Sequence, residues 1–252
     1  VDAASGVKSV LGESQRADVV DVWLNPMTGA PEAYAADYLR PDWRALDADA
    51  QAVLDYFEQE LVGDVSVVSR SADDRRWIVV EDSPTTPTRS YLYDRGEHGE
   101  RRLTMLFRHR PALEQAALQP MIPVEIEARD GLTLVSYLTL PIGADMNGDA
   151  RPERPQPLVI APHSEAWGRD SYGYDPLHQW LANRGYAVLS VNYRGSTGFG
   201  KNFITAGNLQ WGLNMHDDLI VAVDWAVKSG VTSKDQLAVR GWSSGGYASL
   251  AG

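Results

Sequence analysis

A six-residue run near the carboxyl end, Gly241-Trp242-Ser243-Ser244-Gly245-Gly246, limits the fold more than any other feature of this chain. It follows an apolar segment, 237–240, and has the form Gly-x-Ser-x-Gly. In that turn a parallel strand passes into a helix and lifts a serine above the sheet. A serine hydroxyl is a weak nucleophile until a neighbouring base takes its proton, and a tight turn presents the hydroxyl to such a base. Gly241 and Gly245 stand where a side chain would strike the neighbouring strand and helix, and Gly246 is expected to add clearance at the helix start. The N–H of Ser244 then faces the oxygen on which negative charge develops, and a fixed donor there is worth roughly 10²–10³ in rate.

The segments before this turn have the rhythm such a turn needs. Residues 158–161 form a continuously apolar strand. A helix starts at Pro176 with Asp175 as its cap and ends at Arg184-Gly185. A strand follows over 187–191, then a helix over about 215–228, with Leu219, Ala222, Val223, Ala226 and Val227 on one face. Asp217 and Asp218 lie in its first turn, Lys228 in its last, and Gly230 follows as a stop. Buried strands alternating with helices predict a parallel sheet covered on both faces. Ahead of it, 124–128 and 132–140 alternate around Asp130-Gly131, a hairpin pattern, and 145–157 reads as a polar loop.

Residues 1 to about 118 read as mainly β, with strands over 19–24, 32–35, 65–69, 77–81, 90–93 and 103–107 separated by turn residues. One helix interrupts them: Leu46, Ala50, Val53, Leu54, Phe57 and Leu61 recur at helical spacing behind Asp47 as cap. Short strands at near-even spacing suggest a sandwich, barrel or propeller. At roughly 40–45 residues per blade the region holds two to three blades. The expected division is 1–118 and 119–252.

Composition excludes several classes. The 252 residues carry 34 acidic and 23 basic side chains, a formal charge of −11, against the basic surface that nucleic-acid binding needs. With no cysteine, disulfides, thiolate metal sites and a cysteine nucleophile are ruled out. No apolar run approaches the roughly 18 residues of a bilayer span. The chain begins at Val1 without a signal-like core, and the expectation is that the natural start, with any targeting segment, lies upstream; the compartment stays open.

In the fold that carries this turn, the partners follow the serine in the order acid, then histidine. His98, His109, His163, His178 and His216 all precede Ser243, so the acid and the base are expected beyond Gly252. Other folds place histidine first, which makes His163 the alternative base; the strand-turn-helix context argues against it.

Several runs resemble the prolyl oligopeptidase family of serine peptidases: Asp170-Ser-Tyr-Gly-Tyr-Asp-Pro176, Gln179-Trp-Leu-Ala-Asn-Arg-Gly-Tyr-Ala-Val188, Val191-Asn-Tyr-Arg-Gly-Ser-Thr-Gly-Phe-Gly-Lys201, Met215-His-Asp-Asp218 and the serine turn. The resemblance is dense over 121–252. It is looser before that, where Trp77-Ile-Val-Val80 and Tyr91-Leu-Tyr-Asp-Arg95 still fit. It implies an α/β fold in which the first half of an α/β-hydrolase domain follows the last blades of a β-propeller. It further implies cleavage of short peptides, often after Pro, Ala or a bulky apolar residue, through an acyl-enzyme on Ser243. No metal or organic cofactor, nucleic acid or membrane is implied, and homo-oligomers stay open. The chain departs from the family pattern His-Gly-Gly-Pro, having His163-Ser164-Glu165-Ala166. Backbone N–H groups of Ser164 and Glu165 are then the candidates for the second oxyanion donor. A left-handed residue there would be strained by about 1–3 kcal/mol. Ser244 stands where the family usually has Tyr. Glu165 reads as a solvated carboxylate, with contact to a substrate amino terminus as the alternative.

Other readings remain: an esterase using the same Ser243, or a binding module that has lost its triad. Gly195-x-x-x-x-Gly200-Lys201 mimics a phosphate loop, but Asn202 replaces the Mg²⁺-binding Ser or Thr. Asp145, Asn147 and Asp149 have calcium-loop spacing, with Ala150 and Gln156 at the positions that need Gly and Glu. Trp180, Trp211 and Trp225 read as packing aromatics.

Overall fold

The computed structural model describes residues 4–96 and 99–251; His98 lies outside them. Three sheets form. The first is antiparallel, β1 (Val19–Leu24), β2 (Pro31–Asp37) and β3 (Pro41–Ala45) in that order. The second runs in chain order through β4 (Asp64–Arg70), β5 (Arg76–Ser83), β6 (Thr86–Arg95) and β7 (Arg101–Arg108). Between them lies helix α1 (Ala48–Glu60), whose cap Asp47 accepts the Ala50 N–H at 2.8 Å, the interaction that fixes an Asp before the first helical turn. Helix and sheets meet over Trp23, Ala33, Val53, Phe57, Trp77, Val79 and Tyr93. Trp77 is fully buried, with the guanidinium carbons of Arg70 and Arg95 at 4.0 and 4.5 Å from its ring centre.

The third sheet has the order β12-β10-β11-β9-β8. Its elements are β8 (Met121–Glu127), β9 (Thr133–Thr139), β10 (Leu158–Ile160), β11 (Ala187–Val191) and β12 (Leu237–Val239). Only β10, β11 and β12 are mutually parallel; β9 lies antiparallel to β11, and β8 to β9. The three strands expected to be parallel are so, and the hairpin joins them antiparallel, which makes the whole sheet mixed. The Asp130-Gly131 hairpin that opens the unit pairs with itself and then joins the sheet edge. Nor is every strand buried: Val239 on β12 is 45% exposed.

Side-chain alternation divides the two faces. Leu158, Ile160, Leu189 and Val191 turn toward α4 (Asn214–Lys228), against Met215, Leu219, Ala222 and Ala226. Val159, Ala161 and Val188 turn toward α2 (Pro176–Ala182) and Leu181. Also on that second face, His178 is 1% exposed and its Nδ1 and Nε2 lie 2.9 and 2.8 Å from the hydroxyls of Thr139 and Ser190. The chain leaves β10 across one face and reaches β12 across the other, so the strand order reverses beside β10. A crevice opens at the carboxyl ends of strands at such a point. Two more helices complete the unit: α3 (Lys201–Thr205) and α5 (Ser244–Ala251), the latter packing Ala248 against the α4 side.

Polar contacts fasten the β-rich region to this sheet. Arg169 pairs with Asp37 at 3.1 Å, both side chains 10% exposed, and donates to the Tyr38 carbonyl at 3.0 Å. The Tyr174 N–H donates to the Asp82 carboxylate at 2.9 Å, and Gln179 Nε2 donates to the Pro84 and Gln119 carbonyls at 3.1 and 2.8 Å.

Expected as a charge in the first turn of α4, Asp218 is instead 1% exposed and accepts Arg194 N–H and Nε at 2.9 Å and Nη2 at 2.8 Å. Arg194 also reaches Asp130 on the hairpin at 2.8 and 3.1 Å, where the carboxylate is 56% exposed at its side chain. The clasp joins hairpin, β11 exit loop and α4. Removing one partner of a buried pair strands the other charge, whereas an exposed arm contributes little. Asp218→Ala is therefore expected to lower unfolding stability by about 3–5 kcal/mol and Asp130→Ala by less than about 1 kcal/mol, read from urea midpoints; equal losses would refute the ranking.

Candidate active site

Arg240 N–H bonds the Ile160 carbonyl at 2.9 Å, carrying the β12–β10 ladder up to the turn. The chain then reverses. Ser243 sits at φ 51°, in the left-handed region, which a non-glycine residue occupies only where its surroundings impose it. Its side chain is exposed, and its hydroxyl bonds no protein group among the described residues. Its carbonyl accepts the Tyr247 N–H at 3.0 Å, which starts α5.

Two glycines make the turn fit. A Cβ on Gly241 would overlap the Gly245 carbonyl, and one on Gly245 would lie 2.7 Å from the Pro162 oxygen and 3.2 Å from that of His163. Gly246 does not share this constraint: a Cβ there finds its nearest atom, the Gly241 oxygen, at 3.6 Å, an ordinary contact. The clearance expected of Gly246 is thus corrected. Being helical, that position gains from a side chain.

Ser164 and Glu165 are exposed, and neither has positive φ. The strain that would attend a left-handed residue there is absent. The loop instead turns the Ser164 carbonyl toward the serine turn, where it accepts the Ser244 N–H at 3.2 Å. Ser244 and Ser164 are thereby brought together, with the donor already engaged.

His163 stacks on Tyr193, centroids 4.4 Å apart and planes 19° from parallel. Its Nδ1–H donates to the Glu165 carbonyl at 2.6 Å, and Nε2 lies 2.9 Å from the Ser196 hydroxyl. Both ring nitrogens are committed, and burial pushes its pKa down to about 4. The ring acts as a neutral brace for the 163–166 loop. Trp180 and Trp211, expected in packing roles, are 54% and 52% exposed; Arg184 covers the Trp180 ring at 4.4 Å, and Trp211 lies 6.5 Å from Tyr247. Trp225 packs on the core as expected. Around Asp145 the carboxylate is taken by the N–H groups of Gly148, Asp149 and Ala150 at 2.8 to 3.1 Å, which makes 145–150 a capped surface turn. Among the described residues no three His, Asp or Glu are placed to hold a metal, and no helix is long and apolar enough to cross a membrane.

A cavity of about 420 Å³ opens in the crevice beside β10, lined by His163, Ser164, Glu165, Asp170, Arg240 and Trp242 among others. Asp170 opens the first of the family-like runs, and the residue pattern assigns it no role in the site. Its backbone is clamped by Asn192, N–H to Oδ1 at 2.8 Å and carbonyl from Nδ2 at 3.0 Å. Its buried Oδ2 has no hydrogen-bond partner. The adjacent Arg169 is spent on Asp37 and Tyr38, so the charge that sequence proximity offers is turned away. Burial first, and the Asp175 charge second, raise the Asp170 pKa to about 7.

His163 and Asp170 impose opposite pH dependence. His163 binds its proton first in the unfolded chain, so its contribution is complete above about pH 6.5 and lost as pH falls toward 4. Asp170 binds its proton first in the folded chain, so its contribution is present near pH 4 and lost as pH rises through about 7. Asp170→Asn is expected to raise unfolding stability at pH 8 by about 2 kcal/mol and to change it little at pH 4. Urea titrations at both pH values check this; an equal gain at both would rule out the buried charge as cause. By the same method, Gly246→Ala should be neutral or stabilising and Gly245→Ala should cost about 1–3 kcal/mol.

The family model described as prolyl oligopeptidase family matches residues 173–251. Dipeptidyl aminopeptidase BIII of Pseudoxanthomonas mexicana is 52% identical over 252 residues, all of this chain and 36% of that protein. Dipeptidyl peptidase family member 6 of Caenorhabditis elegans is 34% identical over 96% of this chain and 34% of its own. The crystal structure of Porphyromonas gingivalis dipeptidyl peptidase 4 superposes with a TM-score of 0.68 at 23% identity, over 95% of this chain and 33% of that one. This chain thus spans about a third of the length of the relatives it matches. Alignment of the whole of this chain with about a third of the first relative and the family match across the serine turn agree with the resemblance of the motifs, and the chain belongs to the prolyl oligopeptidase family.

Proposed function

We propose that the protein carrying this chain is a serine peptidase that cleaves short peptides through an acyl-enzyme on Ser243. The observation that carries this reading is the exposed Ser243 held at φ 51° on a strand-to-helix turn closed by Gly241 and Gly245. The names of the relatives, dipeptidyl aminopeptidase and dipeptidyl peptidase, favour release of dipeptides from an amino terminus.

In this reading the Ser243 hydroxyl attacks the peptide carbonyl while a histidine takes its proton. The tetrahedral oxygen is held by Ser244 N–H and by a backbone donor of the 163–166 loop. Collapse releases the amine, which takes that proton from the histidine, and water then hydrolyses the ester by the same route. The acid and histidine of the triad belong, on the chain order of this fold, to sequence outside these residues. The division is 1–118 and 119–252. Sheets β1–β3 and β4–β7 are read as consecutive blades of a propeller that limits access to short or unfolded peptides; their antiparallel meander order supports that assignment.

The test is turnover of short peptide p-nitroanilides by the complete gene product, together with labelling by a fluorophosphonate. Ser243→Ala is expected to lower kcat by about 10⁴–10⁶ and to abolish labelling. Undiminished turnover in that variant would end the proposal.

A further inference from the structure

We propose that the Ser164–Glu165 peptide is a two-position element of the oxyanion site, and that Glu165 holds it in the position that blocks the site. The inference rests on Ser243 acting as the nucleophile.

In the structure, Ser244 N–H is engaged by the Ser164 carbonyl at 3.2 Å. An acceptor oxygen therefore stands where the developing oxyanion needs donors. A bound oxyanion and this carbonyl cannot share the site, since two acceptors facing one N–H repel. Glu165 N–H, in the same peptide plane but pointing the opposite way, donates to no protein acceptor among the described residues. Rotating that one plane by about half a turn removes the Ser164 oxygen and brings Glu165 N–H to face the same space as Ser244 N–H. Two converging N–H groups then replace one N–H and one oxygen, the arrangement that stabilises a tetrahedral anion.

The surroundings confine the motion to this one plane. The next carbonyl, that of Glu165, is pinned by His163 Nδ1–H at 2.6 Å and by Gly168 N–H at 3.1 Å. His163 is itself fixed by Tyr193 and Ser196. The loop therefore has a fixed point directly after the mobile plane. Rotating a peptide plane changes ψ of the residue before it and φ of the residue after it. In the two common turn types related by such a rotation, the following residue moves to positive φ. Glycine adopts that conformation freely; Glu165 does not. The residues at positive φ among the described ones do not include Ser164 or Glu165, so the structure shows the unrotated state. The side chain at 165 thus acts through the backbone, as a brake on assembling the second donor.

The experiment compares Glu165→Gly and Glu165→Ala in the complete gene product, using stopped-flow acylation by a peptide p-nitroanilide and the affinity of a peptidyl boronic acid, which forms a tetrahedral adduct on serine. Glu165→Gly is expected to raise the acylation rate constant at least about five-fold, as release of a left-handed strain implies, with KM within about two-fold. It is also expected to tighten boronate binding by a similar factor. Glu165→Ala, which removes the carboxylate and keeps the φ restriction, is expected to show no comparable gain in either measurement. Glu165→Gly at or below the parent in both measurements overturns the inference. So does an equal gain in the alanine variant, which assigns the effect to the carboxylate. Loss of turnover in Ser243→Ala with no gain in Glu165→Gly overturns this inference alone; retained turnover in Ser243→Ala removes the reading beneath it.

Discussion

The contact between the serine turn and the end of β10 is the constraint on which the rest depends. Gly245 passes close enough to the Pro162 carbonyl that a Cβ would sit at 2.7 Å. That proximity fixes where α5 begins, forces Ser243 into the left-handed region, and aims Ser244 N–H at the loop following β10. None of the three follows from the local preferences of Ser. They follow from two backbones being packed side by side, which is why the turn needs glycine at 241 and 245 and not at 246.

Behind the turn, burial arranges the supports. Three parallel strands present alternate side chains to α2 and α4, so the two crossings take opposite faces and leave a crevice beside β10. The Arg194–Asp218–Asp130 clasp then ties the hairpin, the β11 exit and α4 into one unit. Buried charges of this kind stabilise little in themselves, because desolvation offsets the attraction. Their effect is on register: an uncompensated Arg194 is so costly that alternative placements of α4 against the β11 exit are disfavoured.

Much of this was legible in the sequence where one local signal dominates. Strands β1 and β11 have the bounds read from their apolar residues, and α1 and α2 begin behind Asp47 and Asp175 because a carboxylate that can take an N–H defines a helix start. Strand β3 was missed because Pro41, Asp42 and Arg44 are poor strand residues, and pairing with β2 overrides them. Helix α3 was missed because its cap is Gly200, which offers no side-chain acceptor. The mixed sheet could not be read from strand and helix alternation, which says nothing about which edge a preceding hairpin joins. Asp170 was legible only as the start of a family-like run, since a sequence cannot show that its neighbour Arg169 is turned toward Asp37. At the candidate site the serine turn was legible, whereas the Ser164 carbonyl on Ser244 N–H was not, since peptide orientation leaves no trace in residue type.

The departure at 163–166 and the unpaired Asp170 lie on one cavity, and they draw on the same reserve of stability. His163 stays neutral because it is buried, and as a neutral donor it fixes the Glu165 carbonyl. Protonating it keeps the Nδ1–H bond to the Glu165 carbonyl and adds a charge beside Tyr193 that burial penalises. Asp170, across the cavity, is more readily tolerated when protonated. Acid thus costs stability at His163 and relaxes the carboxylate within one window of pH, while base does the reverse. An arrangement optimised only for stability would have neither a buried carboxylate without a counter-ion nor a desolvated histidine that acid must charge. Both line the same cavity as the peptide whose orientation decides whether Ser244 N–H is free, so the stability of this corner and the readiness of the site draw on the same few residues.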